Sequence, residues 1–95
     1  MFELTIVPLG TNSVSLSKYV KISFEEIKRS GLQFQLTPMG TCIIGEFKDV
    51  FALVESIHNR YAALGIERIS THIKIDDRRD KDITFESKIK SVLTK

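Results

Sequence analysis

Tryptophan is absent from this chain, and cysteine and proline are close to absent: Cys42 is the only thiol, and Pro8 and Pro38 are the only prolines. A lone cysteine cannot close an internal disulfide, so a disulfide-stapled scaffold is excluded. Five glycines and two prolines are too few for a collagen-like or low-complexity chain. No apolar run approaches the roughly 18 residues that a spanning helix needs, which excludes the membrane as a solvent. The N-terminus lacks the basic segment, apolar run and small-residue cleavage site of a signal peptide, and a reducing cytoplasm is the expected compartment. The net charge is small as well. Fourteen basic against twelve acidic side chains leave a net +2, an excess too thin to predict nucleic acid or an anionic membrane as partner.

What is present is ordinary globular material, 42% hydrophobic and 27% charged over 95 residues. That length predicts one domain, residues 1–95, hiding about 60–65% of its unfolded surface. Phe2, Leu4 and Ile6 alternate with Glu3, Thr5 and Val7, the signature of a half-buried strand running to Leu9. Gly10, Thr11, Asn12 and Ser13 supply turn and N-cap chemistry, and Leu16, Val20, Phe24 and Ile27 then recur at helical spacing, predicting a helix from about Ser15 to Ser30. Phe34 and Leu36 alternate against Gln33, Gln35 and Thr37. Pro38, Met39 and Gly40 break the pattern before Thr41 to Ile44, predicting a hairpin of the second and third strands. A second helix carries Val50, Phe51, Val54, Ile57, Tyr61 and Leu64 as its apolar stripe and ends at Gly65. From Glu67 a fourth strand sets Ile69, Thr71, Ile73 and Ile75 against Arg68, Ser70, His72 and Lys74. Thr84 then caps a short last helix in which Phe85, Ile89, Val92 and Leu93 are expected to dock.

The order strand, helix, strand, strand, helix, strand, plus a terminal helix, predicts an α+β, ferredoxin-like βαββαβ sandwich. Right-handed crossovers place strands one and three in the middle and two and four at the edges. With both long helices on the apolar face, the other face displays Glu3, Thr5, Val7, Gln33, Gln35, Thr37, Ser70, His72 and Lys74. Antiparallel sheets tolerate a solvated face. A second copy of the chain laid on it would instead enclose a polar cavity suited to a small hydrogen-bonding ligand.

The chemistry-bearing residues point away from catalysis and metal binding. His58 lies in a helix with no second ligand three or four positions away, so a structural role is expected. His72 shares the polar sheet face with Glu3 and Lys74 and reads first as an exposed strand residue. Cys42 has no partner His in a nucleophile motif and is expected to be a small buried hydrophobe. No glycine-rich loop forms a phosphate cradle. RNA-binding modules of this plan carry stacking aromatics on strands one and three, where the expected open-face residues here are Glu3, Thr5, Thr41 and Ile43. The signs alternate from Lys74 to Asp82, a self-compensated surface rather than a binding stripe.

Three segments carry a family likeness: Pro8-Leu9-Gly10, Thr37-Pro38-Met39-Gly40-Thr41, and the run from Arg68 through Ser70, His72, Lys74, Asp76, Asp77, Arg78, Arg79 and Asp80 to Lys81. In this order and spacing they resemble the small thiamine-binding protein family related to YkoF, over nearly the whole chain. The resemblance implies a ferredoxin-like subunit, assembly into dimers or tetramers through sheet faces and edges, and binding of thiamine or its hydroxymethylpyrimidine part without catalysis or a cofactor. Thiamine offers an aminopyrimidine edge that donates and accepts hydrogen bonds, and a cationic thiazolium ring. Under that reading Glu3 pairs with the cation or the exocyclic amine, Thr5 and Thr37 bond the pyrimidine edge, and Met39 supplies a soft apolar wall. Thr41 and His72 are further candidates. The alternative is a regulatory or scaffolding oligomer with no specific small-molecule ligand.

Overall fold

A computed structural model describes residues 1–11 and 17–93. The expected N-cap residues Asn12 and Ser13, and the first expected helical residues Ser15 and Leu16, lie outside the described residues. Seven elements follow in order: β1 (Phe2–Leu9), α1 (Ser17–Ser30), β2 (Gln33–Thr37), β3 (Gly40–Ile44), α2 (Phe47–Ala63), β4 (Arg68–Ile75) and α3 (Phe85–Leu93). The strands form one antiparallel sheet in the order β2-β3-β1-β4, with β1 and β3 central as the crossover rule requires. This is the ferredoxin-like plan.

The core lies between the sheet and the two long helices. Phe2 and Leu4 of β1 and Ile43 of β3 meet Ile22 and Ile27 of α1 and Val50, Leu53, Ile57 and Tyr61 of α2. The α2 stripe is rotated from its expected position. Leu53 is buried where Phe51 and Leu64 are half-exposed, and Phe51 instead stacks on Phe47, both rings packing edge-on against Phe2. A second departure is Val20, 61% exposed on α1. Gly65 closes α2 at φ +89° in a Schellman arrangement. Its own N–H donates to the Ala62 carbonyl at 3.0 Å and the Ile66 N–H to the Tyr61 carbonyl at 3.2 Å, satisfying two carbonyls that a helix end would otherwise leave bare.

β1 outruns its neighbour. It pairs with β4 along its whole length, Phe2↔Ile75 to Leu9↔Arg68, but with β3 only from Phe2↔Ile43 to Leu4↔Thr41. Beyond Leu4 the side of β1 toward β3 is therefore a local edge, which is why the strand tolerates Pro8, a residue with no N–H for a ladder. The hairpin between β2 and β3 turns on Pro38 and Met39. Thr37 Oγ1 donates to the Gly40 carbonyl at 2.9 Å and accepts the Met39 N–H at 3.3 Å.

The last helix does not dock as expected. Thr84 caps it, its Oγ1 accepting the Ser87 N–H at 3.0 Å while Ser87 Oγ accepts the Thr84 N–H at 3.1 Å. Of the four residues expected to dock, Phe85 is half-buried, but Ile89, Val92 and Leu93 are 49%, 71% and 76% exposed. α1 and α2 already fill the helix side of the sheet, and α3 reaches the body through an ion pair of Lys88 with Asp76. That pairing, mainly through its hydrogen bond, holds the Asp76 carboxyl below its ordinary range. A depressed carboxyl contributes stability above the unfolded pKa and loses it as pH falls through the folded value. Asp76→Asn should therefore lower the amide protection factors of residues 85–93 while protection in α2 stays unchanged, and acidification through that range should lower them likewise once the slower intrinsic exchange in acid is divided out. Equal protection of α3 in the variant and the parent would show that the ion pair does not hold the helix.

The charged run closes on itself as expected: Arg78 pairs with Asp80 at 2.7 Å and Arg79 with Asp77 at 2.9 Å. No helix among the described residues is long and apolar enough to cross a membrane.

Candidate functional site

The sheet register sorts the expected site residues onto two faces. Glu3 stands opposite Lys74 and Cys42, Thr5 opposite His72, and Gln35 opposite Cys42, so these residues share the helix-free face. Thr41 pairs with Leu4 and Leu36, and Ile43 with the buried Phe2, so both point to the helix side. The expectation that Thr41 and Ile43 sit on the open face is corrected here: strand three enters one residue out of the assumed phase, because Gly40 already belongs to it. Cys42 is corrected with them. It is half-buried on the open face, where burial first and the nearby Glu3 carboxylate second push its thiol above the ordinary value, keeping it protonated and a poor nucleophile at neutral pH.

His58 has a structural task, its Nε2 lying 2.5 Å from Thr71 Oγ1 across the α2–β4 contact. Among the described residues no group of three His, Cys, Asp or Glu side chains is placed to hold a metal ion.

The largest concavity described opens where β3 stops short of β1, reaching from α1 on the helix side to Thr5, Val7 and Thr37 at the strand edge and hairpin. It is a cleft of about 630 Å³ between the β1 edge (Leu4 to Pro8), α1 and the β2–β3 hairpin, within the roughly 300–1,000 Å³ common for small-molecule sites. Tyr19, Val20, Phe24, Leu36 and Met39 give it apolar and aromatic walls. Phe24 is held edge-on by Phe34 at 5.8 Å and Tyr19 by Tyr61 at 5.6 Å, so the two rings facing the cleft are fixed by rings behind them. Val20 and Met39, 61% and 84% exposed, stand at its mouth.

Apart from Lys21, the cleft's polar side chains among the described residues are hydroxyls. Thr5 Oγ1 donates to the Met39 carbonyl at 3.2 Å and ties the hairpin tip to β1. Thr37 is spent on the turn, as described above. Thr41 lines the cleft with no side-chain hydrogen-bond partner among the described residues. Ser23, half-buried on α1, faces the cleft with its Oγ 2.5 Å from the Tyr61 hydroxyl, which in turn donates to the Tyr19 carbonyl at 2.8 Å. Burial raises the Tyr61 phenol against the opposing effect of the Ser23 hydrogen bond, so it remains a neutral donor.

Thr5, Thr37, Met39 and Thr41 thus come together around the cleft, whereas Glu3 and His72 do not line it. Sequence reading missed Ser23, Tyr19 and Phe24. The signal is the spacing of Tyr19, Ser23 and Phe24 along one side of α1, whereas the stacking aromatics of RNA-binding modules lie on the opposite side of the sheet.

A family model described as thiamine-binding protein matches residues 2–93. The UPF0045 protein YqgV of Bacillus subtilis (strain 168) is 46% identical over 94 residues, covering 95% of this chain and 90% of the relative. A UPF0045 protein of Methanothermobacter thermautotrophicus is 39% identical over 94 residues, covering 98% and 95%. Among solved structures, MJ1052 of Methanocaldococcus jannaschii superposes with a TM-score of 0.85 at 33% identity, over 96% of this chain and 92% of that one. A Thermotoga maritima protein provisionally assigned to thiamine biosynthesis or salvage shares the fold, with a TM-score of 0.76 at 23% identity over 96% and 95% of the two chains. With the model spanning β1 to α3 and relatives aligned along nearly their full lengths, the chain belongs to the thiamine-binding protein family.

Proposed function

We propose that this protein is a cytoplasmic, non-enzymatic binder of thiamine or its hydroxymethylpyrimidine moiety, and that the ligand occupies the cleft between α1 and the β2–β3 hairpin. The observation that carries the reading is the cleft itself, an aromatic-walled hollow floored by hydroxyls, in a chain of the thiamine-binding family. On this reading a pyrimidine ring packs among Tyr19, Phe24 and the Met39 thioether, with Thr41 and Ser23 within the hollow to meet its polar edge. Thr5 and Thr37 act by holding the hairpin tip over the site. Apart from Tyr19, the titratable side chain lining the cleft among the described residues is Lys21. Among the described residues the hollow has neither a carboxylate nor an imidazole, the commonest general bases, which favours binding over catalysis.

The open face gives the oligomer its place in this proposal. Glu3, Gln33, Gln35, Cys42 and Ile44 there would meet a second copy in a dimer or tetramer, which light scattering during gel filtration would reveal.

Calorimetric titration of thiamine and of hydroxymethylpyrimidine into the protein is expected to show saturable binding at one site per chain. Thiamine at a hundred times its dissociation constant is expected to add about 2.7 kcal/mol of stability. Glu3→Gln separates the cleft from the open face: unchanged affinity in this variant is expected, and a tenfold loss would move the ligand to the Glu3 face. Flat traces with both ligands, confirmed by an unshifted melting temperature, would favour the scaffolding oligomer.

A further inference from the structure

We propose that Ser23, oriented by Tyr61, makes the cleft selective for a ligand that presents a hydrogen-bond donor, so that an aminopyrimidine is accepted and its oxo counterpart is rejected. The inference rests on the reading of the cleft as a pyrimidine site and specifies which tautomeric edge that site takes.

Tyr61 is fully buried, and among the described residues its hydroxyl has two hydrogen-bond neighbours, the Tyr19 carbonyl at 2.8 Å and Ser23 Oγ at 2.5 Å. A carbonyl only accepts, so the one phenolic proton goes to Tyr19. The Ser23 proton is then directed at the phenolic oxygen, away from the cleft. What Ser23 shows to the hollow is lone pairs alone. A serine hydroxyl normally rotates to suit either a donor or an acceptor; here a buried neighbour on another helix has removed the choice. Thr41, also lining the cleft, keeps its freedom because it has no side-chain hydrogen-bond partner among the described residues. One fixed acceptor and one adaptable hydroxyl match an edge that carries an amino group beside a ring nitrogen. An oxo group in the same pose sets a carbonyl oxygen against Ser23 lone pairs and leaves both without a proton, the situation in which a polar site discriminates most strongly.

Tyr61 is therefore a positioning residue that never touches the ligand. The test titrates thiamine and its 4′-oxo analogue into the parent, Tyr61→Phe and Ser23→Ala, taking the ratio of the two dissociation constants in each. The parent is expected to prefer the amino form at least tenfold. Tyr61→Phe frees the Ser23 proton and should bring the ratio down severalfold, chiefly by tighter binding of the oxo analogue, a gain that loosened packing would not produce. Ser23→Ala should lower the ratio by weakening the amino form, and it serves if Tyr61→Phe does not fold. Binding of thiamine by the parent with no preference, or the parental ratio retained in the folded variants, would overturn the inference while leaving the binding function standing. Failure of the parent to bind either compound would overturn both.

Discussion

Ile43→Ala is expected to destabilise the protein by about 2–5 kcal/mol, measured as a lowered urea midpoint at unchanged slope. Ile43 has no exposed surface and stands on the core face of β3, opposite Phe2 on one side and Phe34 on the other. Removing its outer carbons loses their transfer energy and also leaves a void, because the surrounding sheet and helices cannot collapse onto it without breaking their own pairing. Small domains have total stabilities of about 5–15 kcal/mol, so the loss takes a large part of the whole. The neighbouring Ile44 is the control. It faces the helix-free side at intermediate exposure, and Ile44→Ala should cost clearly less in the isolated subunit. Equal losses at the two positions would mean that the assignment of faces on β3 is wrong.

Gly40→Ala is expected to cost about 1–3 kcal/mol and to weaken ligand binding at least tenfold. A Cβ built on Gly40 comes within 2.8 Å of the Leu4 carbonyl oxygen and 3.0 Å of Thr5 Oγ1. The first neighbour is main chain in the β1–β3 ladder and cannot swing aside. Relief requires the hairpin to move off β1, which breaks the Thr5 bond to the Met39 carbonyl and shifts the cleft wall that Met39 and Thr41 form. Gly65→Ala makes the contrast: nothing lies within 4 Å of a Cβ there, and its φ of +89° makes the cost one of backbone strain at the far end of α2. That variant should lose stability but bind ligand like the parent. If Gly40→Ala bound normally, the hairpin position would not shape the site.

Much of this was legible in the residues. Alternation along Phe2 to Val7 and Arg68 to Ile75, the break at Pro38 to Gly40 and the glycines after both long helices are local signals, set by the two-residue period of a strand and the steric needs of turns. Together with the handedness of crossovers they led to the sheet order that the structure has. The family likeness in Thr37 to Thr41 and in Arg68 to Lys81 was equally local.

What depended on the tertiary structure was which residues meet. The phase of β3 follows from its pairing with β1, and it alone turns Thr41 toward the helices and Cys42 away from them. The cleft exists because β1 is longer than β3, a mismatch between elements that neither strand's sequence reveals. Tyr19 is fixed as a cleft wall by Tyr61 and the Phe47–Phe51 pair is met edge-on by Phe2, ring contacts between residues far apart in the chain. α3 has a helix's pattern and a helix's cap, yet its apolar side stays exposed because α1 and α2 have already covered the sheet. Periodicity reports what a segment can bury; the space left by every other segment decides whether it does.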